Sequence, residues 1–394
     1  MRNKSRNVLF VSLTALSLAL ILLLSCDSDI SKNSGTSDDT ITAVKYEKIY
    51  SKILNEERKL IIHLPPGYEK TSQAYPVLYL LDADWDSLFL SSVATSEYLN
   101  GFGLIPKMII VGICNTVRNR DMIPIKREDQ PESGGSKNFL RFITEELMPY
   151  VKEQYRIVPY HLLFGGSNAG LFTVYALFEN PEIFNACIAG SPMIGHCADF
   201  MHKLAEDAFL NKDLSSRFLY MIYGDDDLQG TVSYVPDLYQ LIKIKSPEGF
   251  LCQMKIIENG GHVPFISLHD GLRSIFAGWI YPIDKIEKSN LMDIVEHYRH
   301  LTEKYGFEVE IPLDPLITLS YVLTEREDIP QTIETLLLAC EIHPYSPDAF
   351  YYLGMAYELK GDLDLALTQY KKALEINPAY HMASLKIKEL EERE

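Results

Sequence analysis

The stretch Leu162-Leu163-Phe164-Gly165-Gly166-Ser167-Asn168-Ala169-Gly170 admits few local conformations. A short apolar run, of the kind that fills a strand buried on both faces, ends in a glycine pair and a lone serine. Small residues then lead into a helical pattern that runs from Leu171 to Phe178 and stops at Asn180-Pro181. Strand, sharp turn and helix in that order leave the serine standing proud of a sheet edge, which is how a nucleophile elbow reads. Short Gly-Ser patterns recur by chance, so the weight of this one depends on its surroundings.

Those surroundings alternate between strand and helix. Tyr46 to Tyr50 and Lys59 to Leu64 read as a hairpin turned at Asn55-Glu56-Glu57-Arg58, and Pro65-Pro66-Gly67-Tyr68 ends it. Val77 to Leu81 and Met108 to Ile113 are short apolar runs expected of strands buried on both faces, and His161 to Phe164, Phe184 to Ala189, Phe218 to Tyr223 and Cys252 to Ile257 read as further strands. Helical spacing separates them, as in Phe139, Phe142, Ile143, Leu147 and Val151. Continued over about 240 residues, this alternation predicts an α/β fold built on a doubly wound, mostly parallel sheet. Ligands in such sheets bind at the carboxyl ends of the strands.

The elbow serine needs a base, because a hydroxyl is a poor nucleophile at neutral pH. In this kind of sheet the expected chain order is serine, acid, histidine. Strand Phe218–Tyr223 runs into Gly224-Asp225-Asp226-Asp227, and strand Cys252–Ile257 runs into Glu258-Asn259-Gly260-Gly261-His262. Ser167, a carboxylate and His262 therefore fall at successive strand ends in the right order, which is far more specific than any one of them. Asp227 is the preferred orienting acid, with Asp225 and Asp226 as alternatives. The acidic run lacks the regular ligand spacing of a calcium loop, and no metal or other cofactor is expected. Donors for a developing oxyanion would be the backbone N–H of Asn168 and, from the loop after Val77–Leu81, that of Asp84. Trp85 and His196, each near a strand end, are expected to line the pocket. His63 is expected in a strand, and His269 on a helix.

Charge and cysteine usage bound the partners. The 394-residue chain has a net charge of −17, which excludes a phosphate-backbone partner lacking a basic face to meet. Arg2, Lys4 and Arg6 precede an apolar run from Val8 to Leu24 that ends in Leu23-Leu24-Ser25-Cys26. This resembles a bacterial lipoprotein signal, with Cys26 as the lipid-bearing first residue after cleavage and the rest held in the cell envelope, periplasmic or at the cell surface. The alternative is an uncleaved single-span anchor. Residues 27–42 are rich in Ser, Asp, Thr and Gly and read as a flexible tether. The other five cysteines show no metal-ligand spacing; Cys114, Cys187 and Cys252 sit in apolar runs as small buried residues.

Past residue 285 the strand signals stop and a period begins. Leu319 and Leu353, Ala339 and Ala373, and Pro344 and Pro378 each stand 34 residues apart. The second copy, with Leu353, Gly354, Tyr357, Ala366, Tyr370, Ala373 and Pro378, resembles the tetratricopeptide repeat. The first has Ser320 and Thr332 where that repeat carries small residues. Two copies are too few to stand alone, so they are expected to dock on the sheet domain, as a buttress or as a surface for a protein partner.

Residues 44 to 281 resemble the putative-esterase branch of the α/β-hydrolases. The resemblance rests on Ile62-His63-Leu64-Pro65-Pro66-Gly67-Tyr68, on Tyr75-Pro76-Val77-Leu78-Tyr79-Leu80-Leu81-Asp82, on Gly134-Gly135-Ser136, and on His262 with Asp270-Gly271-Leu272. Asn115, Arg118, Arg120, Asp121 and Pro124 match a block most like that of the trilactone-siderophore esterases. The resemblance implies carboxylic-ester hydrolysis by Ser167, an acid and His262, without a metal. Arg118, Arg120 and Arg127 would meet an anionic catecholate complex, or would pin their loop through ion pairs such as Arg118 or Arg120 with Asp121. Gly166 and Ala169 depart from the histidine and glycine that relatives carry at the elbow. Met193-Ile194 departs from the serine and aromatics that follow Ser191-Pro192. Competing readings are an acetyl or feruloyl esterase acting on polysaccharide, and a non-catalytic envelope scaffold. The partition is then signal 1–25, tether 26–43, hydrolase domain 44–283, and a helical region 284–394 with repeats at about 313–346 and 347–380.

Overall fold

A computed structural model of the chain describes residues 43–392. The expectations for Cys26 and the segment before it lie outside the described residues. Eight strands, β1 (Ala43–Ser51), β2 (Glu56–Leu64), β3 (Tyr75–Leu80), β4 (Ile109–Ile113), β5 (Ile157–Gly166), β6 (Ala186–Gly190), β7 (Phe218–Gly224) and β8 (Leu251–Ile257), form one sheet. Its order is β1-β2-β4-β3-β5-β6-β7-β8. The hairpin β1–β2 and the β2–β4 pair are antiparallel, and every pair from β4 onward is parallel. This is the α/β-hydrolase arrangement.

The central strands read as unbroken apolar runs because both faces are covered. In β3, Val77 and Tyr79 enter the core on one face while Leu78 and Leu80 enter the core on the other. The first face is closed largely by α2 (Asn168–Glu179), the helix after the elbow, in which every residue from Asn168 to Phe178 is buried. The second is closed by α1 (Asp86–Gly101), α3 (Ser267–Ile275) and the helices that follow.

Two local features depart from expectation. Arg58, expected in the hairpin turn, lies in β2 and is fully buried; the turn falls earlier, over residues 52–55. The helical stretch expected over Phe139–Tyr155 holds a π-helical segment, Phe142–Leu147. Its wider turn sets Glu146 against the first hairpin, where the carboxylate accepts from Ser51 Oγ, Lys52 N–H and Ile53 N–H.

After the sheet come α4 (Leu291–Tyr305), two helical hairpins, α5 (Leu313–Glu325) with α6 (Ile329–Ile342) and α7 (Pro347–Lys360) with α8 (Leu363–Ile376), and α9 (His381–Glu391). Leu316, Leu319 and Leu323 of α5 share one apolar cluster with Ile188 and Ile222 of the sheet, bridged by Phe276, Trp279, Tyr298 and Tyr305. The first hairpin is thus part of the hydrolase core. The second has a cluster of its own around Tyr351, Tyr370 and Ala373.

Candidate active site

Ser167 sits between β5 and α2 with φ 61 and ψ −123, a backbone conformation that costs a non-glycine residue energy and is held by its surroundings. Its N–H donates to Gly190 O at 2.8 Å, and its carbonyl accepts from Leu171 N–H at 3.0 Å. The turn is possible because its neighbours are small. A Cβ at Gly165 would lie 2.5 Å from Ala169 O, and one at Gly170 2.8 Å from Gly190 O. The missing side chain at Gly165 also leaves room for the Ala169 methyl, which is fully buried.

The acid and the histidine meet as expected. His262 Nδ1 lies 2.6 Å from Asp227 Oδ1, which also accepts from Leu228 N–H at 2.6 Å. The Asp227 side chain is buried and the imidazole a third exposed. An Nδ1–H given to Asp227 leaves Nε2 as the basic nitrogen, the tautomer a general base requires. The next residue, Val263, packs on the elbow: a Cβ at Gly166 would lie 2.7 Å from Val263 Cγ1. Of the alternatives, Asp225 and Asp226 accept from backbone N–H groups of the histidine loop, at Asn259 (2.8 Å) and Gly261 (2.7 Å).

The loop after β3 lies beside the elbow because β3 pairs with β5, and Leu81 N–H donates to Phe164 O at 3.0 Å. Asn168 opens α2, so its N–H belongs to the first helical turn, where donors have no intrahelical acceptor. Asp84 is fixed by its carboxylate, which accepts from Asn115 N–H (3.0 Å) and Asn115 Nδ2 (2.8 Å).

The three arginines are engaged by carboxylates. Arg118 grips Asp82 through Nε (2.7 Å) and Nη2 (2.8 Å), reaches Gly166 O from Nη2 at 3.4 Å, and lies 5.1 Å from the Trp85 ring centroid. Its carboxylate partner is Asp82 and not Asp121, because Asp82 follows β3 and Arg118 follows β4, and the two strands are neighbours in the sheet. Arg120 pairs with Glu56 and Asp121, and Arg127 pairs with Asp129 and donates to His196 O at 2.6 Å. Buried Arg58 completes the Glu56–Asp121 cluster, tying the loop to β2. Glu56 is held down to about 2, chiefly by its hydrogen bond from Arg120. Among the described residues, no group of three or more His, Cys, Asp or Glu side chains is placed to hold a metal ion.

A cleft of about 330 Å³ opens beside Gly166. Half-exposed Trp85, exposed Phe265, and Leu88, Phe164, Val263 and Leu268 give it apolar walls, with Ser91 and Thr95 at its α1 side. Trp85 is among the residues that line it, and His196 is not. His196 lies in a short 3-10 turn, half-buried, and burial lowers its pKa. Sequence reasoning passed over Ser191, fully buried with φ 45, whose Oγ accepts from Val263 N–H at 2.7 Å. It also passed over Asp82, fully buried with φ 56. A polar residue at the end of an apolar strand was the signal available for both.

Residues 51–225 match the family described as Putative esterase, and residues 347–380 match the tetratricopeptide repeat. The chain is 29% identical over 261 residues to the ferri-bacillibactin esterase BesA of Bacillus subtilis, which covers 59% of this chain and 88% of that protein. An IroE-like serine hydrolase from Shewanella oneidensis superposes with a TM-score of 0.65 at 26% identity, covering 76% of this chain and 99% of the other. An uncharacterised protein from Capnocytophaga ochracea shares the fold over 89% of this chain and 99% of its own, with a TM-score of 0.60 at 19% identity. The chain is a carboxylic ester hydrolase.

Proposed function

We propose that the enzyme hydrolyses the ester bonds of a siderophore lactone through an acyl-enzyme. Ser167 is the nucleophile, His262 the general base and then acid, and Asp227 the residue that orients the imidazole. The N–H groups of Asn168 and Asp84 stabilise the oxyanion, a contribution of about 2.7–4 kcal/mol per donor in comparable sites. The observation that carries the substrate class is the identity with BesA over 88% of that protein's length. The Trp85 and Phe265 walls suit the flat catechol rings that such a lactone carries. Arg118 sets the Trp85 face, and Arg120 acts as a loop pin.

The deciding experiment follows products by mass spectrometry from a catecholate trilactone and from feruloylated and acetylated oligosaccharides. The linear trimer is expected first, then the dimer and the monomeric catecholate hydroxy acid, each gaining one water per ester cleaved. Release of ferulate or acetate with the lactone untouched would transfer the assignment to the polysaccharide esterases. No labelling by a fluorophosphonate would leave the scaffold reading.

The proposal extends to location. The basic residues, apolar run and Cys26 support a lipid-anchored enzyme on the cell envelope; Cys26→Ser should then abolish incorporation of labelled palmitate. Among the described residues no helix is long and apolar enough to cross a membrane. The second repeat, whose cluster is separate from the hydrolase core, is the part of the helical region available to a protein partner.

A further inference from the structure

The strand end after β7 and the loop after β8 meet residue for residue. β7 and β8 pair in parallel up to Gly224 and Ile257. Beyond that register three consecutive aspartates each take one point of the following loop. Asp225 Oδ1 accepts from Asn259 N–H, Asp226 Oδ1 accepts from Gly261 N–H, and Asp227 Oδ1 meets His262 Nδ1. From the other side, Ser191 Oγ at the end of β6 accepts from Val263 N–H. A Cβ at Gly224 would lie 2.5 Å from both the N and the O of Gly261, so the two segments are in direct contact there.

These are not turn closures within one loop: the partners stand 34 and 35 residues apart for Asp225 and Asp226, and 72 apart for Ser191. The loop they hold is strained. Asn259, Gly261 and Val263 have φ of 50, 61 and 56, and a valine there is a steric outlier. A loop of this conformation relaxes unless bonds from outside fix it.

We infer that Asp226 and Ser191 are positioning residues for His262, gripping the Gly260–Gly261 peptide one residue before it and the His262–Val263 peptide directly after it, so that the imidazole is aimed before substrate arrives. Asp225 anchors the start of the same loop. The inference rests on the reading of Ser167, His262 and Asp227 as the catalytic set. It assigns Asp226 a hydrogen-bonding role at its Oδ1, not a role for its charge.

The test uses the protein lacking residues 1–40, p-nitrophenyl butyrate, and the variants Asp226→Ala, Asp226→Asn and Ser191→Ala, with Ser167→Ala and His262→Ala alongside. Loss of the grip should lower kcat in Asp226→Ala on the order of tenfold to a hundredfold, with KM changed little and the melting temperature near that of the parent. Asp226→Asn keeps the accepting oxygen and should recover most of the rate. Ser191→Ala, which frees the His262–Val263 peptide, should also lower kcat, and it carries the test should Asp226→Ala fail to fold. A full kcat in Asp226→Ala, or an Asp226→Asn as slow as Asp226→Ala, would overturn the inference. Hydrolysis persisting in Ser167→Ala or His262→Ala would instead overturn the catalytic reading beneath it.

Discussion

Val263 occupies the space that a side chain on Gly166 would need, its Cγ1 2.7 Å from where a Cβ would stand. The residue after the histidine thus rests on the residue before the serine, and relative placement of the two depends on that contact. Gly166→Ala should push Val263 away and carry His262 with it, lowering kcat on the order of a hundredfold for an ångström of misplacement. The double variant Gly166→Ala/Val263→Ala makes room again and should recover most of the loss. Steady-state kinetics on p-nitrophenyl butyrate decide; a single variant as active as the parent would show that the loop adjusts freely.

Asp227 alone among the three aspartates touches the imidazole. Asp227→Asn leaves an amide that stabilises the wrong tautomer, and the same change in a comparable triad costs about 10⁴ in kcat. A loss of that order is expected here, with KM near the parent value. Only a small loss would mean that Asp225 or Asp226 takes over.

Arg118 and Asp82 form a pair in which the carboxylate is 1% exposed and the guanidinium side chain 23% exposed. Removing the arginine alone strands a buried charge, which costs about 3 kcal/mol at the lower end of the range for such losses. Arg118→Ala should therefore shift the urea midpoint strongly, and Arg118→Ala/Asp82→Asn should restore much of it. Arg118→Lys loses the two-pronged grip and the stacking on Trp85 while keeping the charge, so it should fall between the two. Equal midpoints for all three would show that water takes up the Asp82 charge at no cost.

The strands, the elbow and the order of serine, acid and histidine were legible because local pattern and global fold agree there. β3, β5 and β7 are buried on both faces, and their apolar runs end where the chemistry begins. Of the arginines' carboxylate partners only Asp121, beside Arg120 in the chain, was legible. Arg118 finds Asp82 only because β4 and β3 are neighbours in the sheet, a non-local pairing that spacing along the chain does not encode. Arg58 was misplaced because a run of charged residues in a hairpin usually marks the turn, and here its last arginine is drawn inward by Asp121. The π-helical segment was invisible for a like reason: the contact it serves, between Glu146 and Ser51 of the first hairpin, spans 95 residues of sequence.

Glu56 gives the fold an acid limit. Its folded-state pKa is about 2 against an ordinary 4.5, so the contact stabilises the fold fully above the ordinary value. That contribution shrinks as pH falls from about 4.5 and is gone below about 2, once the carboxyl is protonated in both states. Glu56→Gln should be less stable than the parent at neutral pH and should lose less stability over this window. Urea midpoints measured from pH 7 down to 3 check the slope; parallel curves for parent and variant would remove Glu56 from the account.

The two helical hairpins should tolerate truncation differently. A chain ending at His343 loses Leu353 and Ala356 from their contact with Leu336, a small cluster apart from the sheet. At about 1.5–3 kcal/mol for each large apolar side chain uncovered, the fold should survive and ester hydrolysis should persist. A chain ending at Pro282 loses Tyr298, Leu301, Tyr305, Leu316 and Leu319, and it uncovers Phe276 and Trp279, whose rings lie 5.3 and 5.4 Å from Tyr305. That is an apolar face too large to leave in water, so this fragment should aggregate or lose its cooperative melt. Solubility, melting curves and kcat of the two fragments make the comparison. A soluble, active fragment ending at Pro282 would show that the first hairpin is an appendage and not part of the hydrolase core.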